Sequence, residues 1–178
     1  MVDTALRTLR LDRLHILPTG QAWHKPRTLS DAAHRLAMCR LAFGDLPGVV
    51  IDRREVDRSG STYTIDTVEE LAREQPGAQL FLLLGQDQHL AFTTWRRWQD
   101  LLGRVTLVVA ARPGGTSTDP ASAAPPAVPC LPLDMPLSPI SSTAIRRLAA
   151  DRSPGLAALV PEAVAGYISS HSLYQQPS

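Results

Sequence analysis

The sequence predicts an α/β fold, a doubly wound and mainly parallel sheet. Short apolar runs alternate with helical stretches of about ten to fifteen residues, the pattern of βαβ units. Two of those runs, 80–84 and 105–110, do not alternate apolar with polar, as expected of strands covered on both faces. The chain has 178 residues, 44% hydrophobic and 20% charged, enough for the core of one domain over residues 1–178 and too apolar for wholesale disorder.

The elements follow in order. Arg7, Arg10 and Arg13 share one face of an N-terminal helix and Leu6, Leu9 and Leu14 another. Asp3 and Asp12 make this an ordinary amphipathic surface helix rather than a membrane or transit segment, and with no apolar h-region it does not read as a signal peptide. A strand at 14–17 stops at Pro18-Thr19-Gly20. Helical spacing over 30–43 offers Ala33, Leu36, Ala37, Cys39, Leu41 and Phe43 for burial, with Ser30 as N-cap. A strand is expected over 49–56, after Pro47-Gly48. Thr64 then caps a helix running to about Gln75, with Asp66, Glu69 and Glu70 complementing its dipole. Beyond the 80–84 strand a Trp-rich helix is expected at 93–102, then the 105–110 strand. Eight prolines crowd the stretch from Arg112 to Pro139, so 113–127 reads as a surface loop and 128–133 as an edge strand that tolerates proline. Helices return at about 141–150 and 161–170.

Composition excludes several function classes. Eighteen basic residues against seventeen acidic leave a net charge of +1, giving no support to a nucleic-acid binder that works by bulk charge. No apolar stretch approaches the roughly 20 residues of a membrane span. Cys39 and Cys130 are far apart, with no CxxC, so neither a zinc site nor a disulfide framework is expected and a reducing cytoplasm is the default. Lys25 is the lone lysine among eighteen basic residues. Codon bias explains that, or a site that suits a compact ammonium.

Ligands of open parallel sheets bind beyond the carboxyl ends of the strands. The segments that follow the expected strands are Pro18 to Pro26, Arg58 to Thr64, Gly85-Gln86-Asp87, Ala111 to Gly115, and Ser138 to Arg147. In the last, Ser141, Ser142 and Thr143 stand at a helix start, where unpaired N–H groups attract phosphate. Arg146 and Arg147 are disfavoured there by the dipole unless an anion offsets them, the alternative being a serine cap with two solvated arginines. Neither G-x-x-x-x-G-K-[ST] nor G-x-G-x-x-G occurs. Trp95 and Trp98 are a core stripe, or Trp95 is a plate for a flat heterocycle. Asp87 is a helix cap or a carboxylate for ribose hydroxyls. His24 beside Lys25 suits a phosphate. His15, His34, His89 and His171 show no partner spacing.

Together these segments resemble the bacterial nicotinate-nucleotide adenylyltransferases of the nucleotidylyltransferase superfamily. The matching pieces are Pro18 to Lys25, Ser61-Thr62-Tyr63-Thr64-Ile65-Asp66-Thr67, Leu84-Gly85-Gln86-Asp87, Thr94-Trp95, Ala111-Arg112-Pro113-Gly114, Ile140 to Arg146, and Leu159 through Tyr174. The resemblance implies a Rossmann-like sheet and a reaction in which nicotinate mononucleotide and ATP give deamido-NAD and pyrophosphate. It implies that Ser141, Ser142, Thr143 and Arg146 hold the ATP phosphates, and that Asp87 and the Gly85 backbone hold the ribose. Trp95 would face the nicotinate ring near Tyr63 and Thr64. His24, Lys25 and Arg112 would serve the mononucleotide. Mg²⁺ would arrive with ATP, and no protein-bound metal is expected. The family's opening strand and G-G-[ST]-F-D-P-x-H-x-G-H loop have no counterpart here, so the sheet is expected to be N-terminally truncated relative to the family. A start placed at an internal methionine is one reading of that. The other is a nucleotide-binding remnant without catalysis. Transfer to nicotinamide mononucleotide or phosphopantetheine is a further alternative.

Overall fold

The computed structural model describes residues 1–20, 31–111, 128–135 and 140–175. Its elements are α1 (Val2–Thr8), β1 (Leu14–Ile16), α2 (Ala32–Phe43), β2 (Val49–Ile51), α3 (Arg54–Asp57), α4 (Thr64–Glu74), β3 (Phe81–Gly85) and α5 (Gln86–Leu90). There follow α6 (Trp98–Leu102), β4 (Thr106–Ala111), β5 (Leu131–Asp134), α7 (Ser142–Ala150) and α8 (Glu162–Ser170). Every strand pairing among the described residues is parallel: β1 with β2, β3 with β4, and β4 with β5. The alternation of strand and helix read from the sequence is therefore the architecture. Contacts group the chain into two compact units, one of Met1–Leu11 with Tyr63–Leu137, the other of Asp12–Thr62 with Ser138–Ser178.

In the first unit β4 is the central strand, and Leu107, Val108 and Val109 are all buried. β3 is an edge of its three-stranded sheet. Only Leu84 is fully buried there, while Phe81, Leu82 and Leu83 are half-buried, short of the two-sided burial its apolar run suggests. The opposite edge, β5, carries Pro132 opposite Val109, which an edge permits because the missing N–H is not needed for a second neighbour. Ile65 and Val68, one turn apart on α4, join Leu84, Phe92, Leu101, Val105, Leu107 and Val128 in one core. Full burial of Phe92, Ile65 and Leu101 contributes roughly 1.5–3 kcal/mol each.

The Trp-rich helix expected over 93–102 is broken. A 3₁₀ turn covers Phe92–Thr94, Trp95 is extended at ψ 146°, and Arg97 sits at φ 53° before α6 begins. The Thr94 hydroxyl donates to the Ala91 carbonyl at 2.7 Å, a local bond that competes with continued helix. Trp95 and Trp98 still reach one target, Phe92, with ring centroids at 5.4 and 6.4 Å.

The second unit places α2, α7 and α8 around Ala149, Leu156, Val164, Ala165, Ile168 and Leu173. The strand expected over 49–56 ends at Ile51. Asp52 Oδ1 accepts from Arg54 N at 3.0 Å, an aspartate turn that starts α3 instead. The cap of α2 is Asp31, whose carboxylate accepts from Ala33 N at 3.1 Å; the expected cap, Ser30, lies outside the described residues. At α4 the cap position is Tyr63, whose side chain makes no capping bond, and Thr64 is the first helical residue. The N-terminal helix stops at Thr8, so Arg10, Arg13 and Leu14 are not on its faces. α1, α7 and α8 all end in a Schellman turn, with Leu11, Ser153 and Leu173 donating to the carbonyls of Leu6, Leu148 and Ile168. The left-handed residues are Arg10, Arg152 and Ser172 rather than glycine. The 113–127 loop lies outside the described residues.

Candidate active site

At the carboxyl end of β3, Gly85 closes the strand and caps α5 with φ −78° and ψ 162°, a conformation open to any residue. A Cβ built there meets nothing within 4 Å. Neither backbone strain nor packing demands glycine at this position. What its missing side chain leaves is bare backbone beside open space at the end of a parallel strand, where α/β sheets bind ligands. Two residues on, Asp87 stands in the first turn of α5, exposed, its carboxylate bonded to no described residue. It is therefore not the cap of α5; that position belongs to Gly85.

In the same unit Tyr63, Thr64 and Trp95 are half-buried. Tyr63 and Trp95 both pack against the core built on Ile65 and Phe92, so Trp95 is a core residue with one part left exposed. The Arg96 guanidinium carbon lies over the Tyr63 ring, 4.5 Å from its centroid.

In the second unit α7 begins at Ser142. Ser141 is its N-cap, and Oγ accepts from Ala144 N at 3.1 Å. Ser142 and Thr143 are exposed. No acidic residue occupies this first turn. The two arginines separate in role. Arg147 faces Asp151 at 3.9 Å, whereas half-buried Arg146 donates to Thr143 Oγ1 at 3.4 Å and meets no carboxylate among the described residues. A guanidinium and the exposed hydroxyls of Ser142 and Thr143 beside a helix N-terminus are groups of the kind that suit an anion. His24, Lys25 and Arg112 lie outside the described residues.

Two polar clusters of the second unit have no local signal in the sequence. His15 Nδ1 and Asp52 Oδ2 lie 3.0 Å apart, and Arg54 Nε donates to the same oxygen at 2.8 Å. His34 Nδ1 lies 3.0 Å from the Tyr167 hydroxyl, and the Tyr167 ring stacks on His171 at 4.0 Å. Periodicity cannot reveal partners 37 and 133 residues away. His89, buried, lies 3.3 Å from the Val128 carbonyl through Nε2. Burial alone would raise the pKa of Asp52. Hydrogen bonds from Arg54 N–H, His15 and the Arg54 guanidinium, with the charge of the latter, outweigh it and hold the carboxyl below the usual carboxylate range. A lowered native pKa gives stability that is complete above the unfolded value near 3.9 and lost as pH falls through the native one. Asp52→Asn is therefore expected to melt earlier than the parent at pH 7, with the gap constant down to about pH 4 and closing below it. Calorimetry between about pH 2.5 and 7 checks this, and a gap unchanged across that range contradicts it.

Among the described residues no three His, Cys, Asp or Glu side chains converge to hold a metal ion. No described helix is long and apolar enough to cross a membrane.

The family model described as cytidylyltransferase-like fits residues 1–148. A protein of Albidiferax ferrireducens named "Probable nicotinate-nucleotide adenylyltransferase" is 45% identical over 98% of this chain and 89% of its own length. One of Methylibium petroleiphilum with the same name is 42% identical over 98% of this chain and 84% of its own. Among solved structures, the Plasmodium falciparum nicotinic acid mononucleotide adenylyltransferase complexed with NaAD superposes with a TM-score of 0.67 at 15% identity, covering 92% of this chain and 82% of that one. That likeness shows a shared Rossmann-like fold. The chain belongs to the cytidylyltransferase-like family, among its bacterial nicotinate-nucleotide adenylyltransferases.

Proposed function

We propose that this chain transfers the adenylyl group of ATP to nicotinate mononucleotide, a step of NAD biosynthesis. A phosphate oxygen of the mononucleotide bonds to the α-phosphorus of ATP as the bond to the bridging oxygen breaks. Pyrophosphate leaves and deamido-NAD remains. In-line displacement of this kind needs alignment and charge stabilisation, with no covalent enzyme intermediate. The observation that carries the reading is Arg146. It is a half-buried cation beside Ser142 and Thr143, with no carboxylate to neutralise it among the described residues, in a chain of this family.

Ser141, Ser142, Thr143 and Arg146 take the ATP phosphates, and Arg146 stabilises charge as it shifts onto the leaving pyrophosphate. The Gly85 backbone and the Asp87 carboxylate take the adenosine ribose. Trp95, with Tyr63 and Thr64, takes the nicotinate ring, and His24, Lys25 and Arg112 take the mononucleotide. Mg²⁺ enters as the counter-ion of the triphosphate. Among the described residues no three His, Cys, Asp or Glu side chains converge to hold it, and bound with ATP it would supply charge stabilisation at the phosphates. We place the reaction in the cytoplasm, where the free thiols Cys39 and Cys130 stay reduced.

The test is an incubation with ATP, Mg²⁺ and nicotinate mononucleotide, followed by separation of nucleotides. Deamido-NAD and pyrophosphate in equal amounts are expected. A folded chain that binds ATP and yields neither overturns the catalytic reading and leaves a nucleotide-binding protein. Gly85→Ala adds a check on the adenosine site. Its Cβ meets nothing, so the melting temperature should hold within a degree or two, while KM for ATP rises about threefold to tenfold as the methyl group intrudes on the ligand. An unchanged KM removes Gly85 from the site.

A further inference from the structure

Three arginines lie between Trp95 and β4, and two of them are neutralised. Arg97 reaches Glu69 at 2.9 Å and Asp100 at 2.6 Å, and Arg104 reaches Glu69 at 3.5 Å. Arg96 meets no carboxylate among the described residues. Its guanidinium rests on the face of Tyr63, 4.5 Å from the ring centroid. The neighbouring backbone is pinned: Arg97, left-handed at φ 53°, ties this segment to α4 through Glu69, and Tyr63 caps the same helix. The positive charge of Arg96 thus lies on the Tyr63 ring one residue after Trp95, and among the described residues no carboxylate neutralises it.

Such a contact orients a guanidinium without neutralising it, leaving the charge available to a ligand. The acid and amide forms of the mononucleotide have nearly the same shape. They differ by one negative charge on the ring substituent, and stacking on Trp95 cannot separate them. We propose that Arg96 is a specificity-determining residue that favours a pyridine carboxylate over the corresponding carboxamide. This rests on the reading that Trp95 and Tyr63 hold the ring.

The test is binding, which does not depend on turnover. Calorimetric titration of nicotinate mononucleotide and nicotinamide mononucleotide into the full chain is compared with Arg96→Gln and Arg96→Lys. Arg96→Gln is expected to weaken the acid form about fivefold and leave the amide form within about twofold, the range of a solvent-exposed ion pair strengthened by partial desolvation. Arg96→Lys, which keeps the charge and loses the planar fork, falls between parent and Arg96→Gln. Raising salt from about 50 to about 500 mM should erode the parent's preference and not that of Arg96→Gln. If both mononucleotides weaken together, Arg96 only props Tyr63 and the proposal fails. An unchanged ratio also defeats it, with the nicotinate site left standing. A parent that binds neither mononucleotide overturns the site reading, and the role of Arg96 with it.

Discussion

Arg146→Ala is expected to lower kcat for adenylyl transfer by a factor on the order of 10²–10³, with KM for nicotinate mononucleotide little changed. A donor aimed at charge that develops only in the transition state acts on kcat, because the ground state gains little from it. Arg147→Ala is the internal control. It removes an equal charge from the next residue, but that charge already faces Asp151 and the side chain is exposed, so its loss should change kcat less than about threefold. Circular dichroism of both variants separates a site effect from unfolding. Arg146 is half-buried and, among the described residues, bonds only to Thr143 Oγ1, so the fold should survive its truncation. If Arg146→Ala loses less than about threefold with the fold intact, the start of α7 is a serine cap with two arginines and not a phosphate site.

That alternative is where sequence reading reaches its limit. Ser141 does cap α7, and the bland reading of the residue is correct as structure. The sequence places Arg146 and Arg147 side by side, with Asp151 four residues beyond the second. The fold shows Arg147 facing that aspartate and Arg146 facing no carboxylate among the described residues. The parallel strands were legible because 105–110 is apolar throughout, and β4 is buried as that pattern requires. β3 has an equally apolar run and is only half-buried, since a run of leucines reports the core without saying which strand is an edge. The break at Trp95 was hidden for a different reason. Helical spacing over 93–102 is real, and it is overridden by the Thr94 hydroxyl and by an arginine that no local rule would place at positive φ. Asp52 was invisible for a third reason: its partner His15 is on β1, and the parallel register of β1 and β2 brings it beside the residue that follows β2.

Gly20→Ala is expected to be the most destabilising of the glycine substitutions, and comparison with two others shows why. Gly20 follows β1, and a Cβ built on it would overlap the carbonyl oxygen of Glu55 and stand 3.1 Å from Thr62 Oγ1. The obstacle is backbone, which cannot turn aside as a long side chain can. Glu55 and Thr62 are both buried, so the loop must shift as a whole. Such a shift also strains the bond from Arg35 Nη2 to the Gly20 carbonyl, 3.2 Å long and anchored on α2. Forced overpacking of this kind costs about 1–3 kcal/mol, occasionally more. Gly60 presents the opposite case. Nothing surrounds its Cβ position, but its φ is +85°, so alanine there meets backbone strain of about 1–2 kcal/mol and no clash. Gly85 has neither obstacle. Denaturant melts of the three alanine variants should therefore rank them Gly20, Gly60, Gly85 from most to least destabilised. Gly20 stands four residues before His24 in the sequence, so on the proposed reading loss of its close approach to Glu55 should also raise KM for nicotinate mononucleotide, an effect that Gly60→Ala should lack. Gly20→Ala melting with the parent would falsify the contact itself, and with it the view that glycine is required there to let two backbones meet.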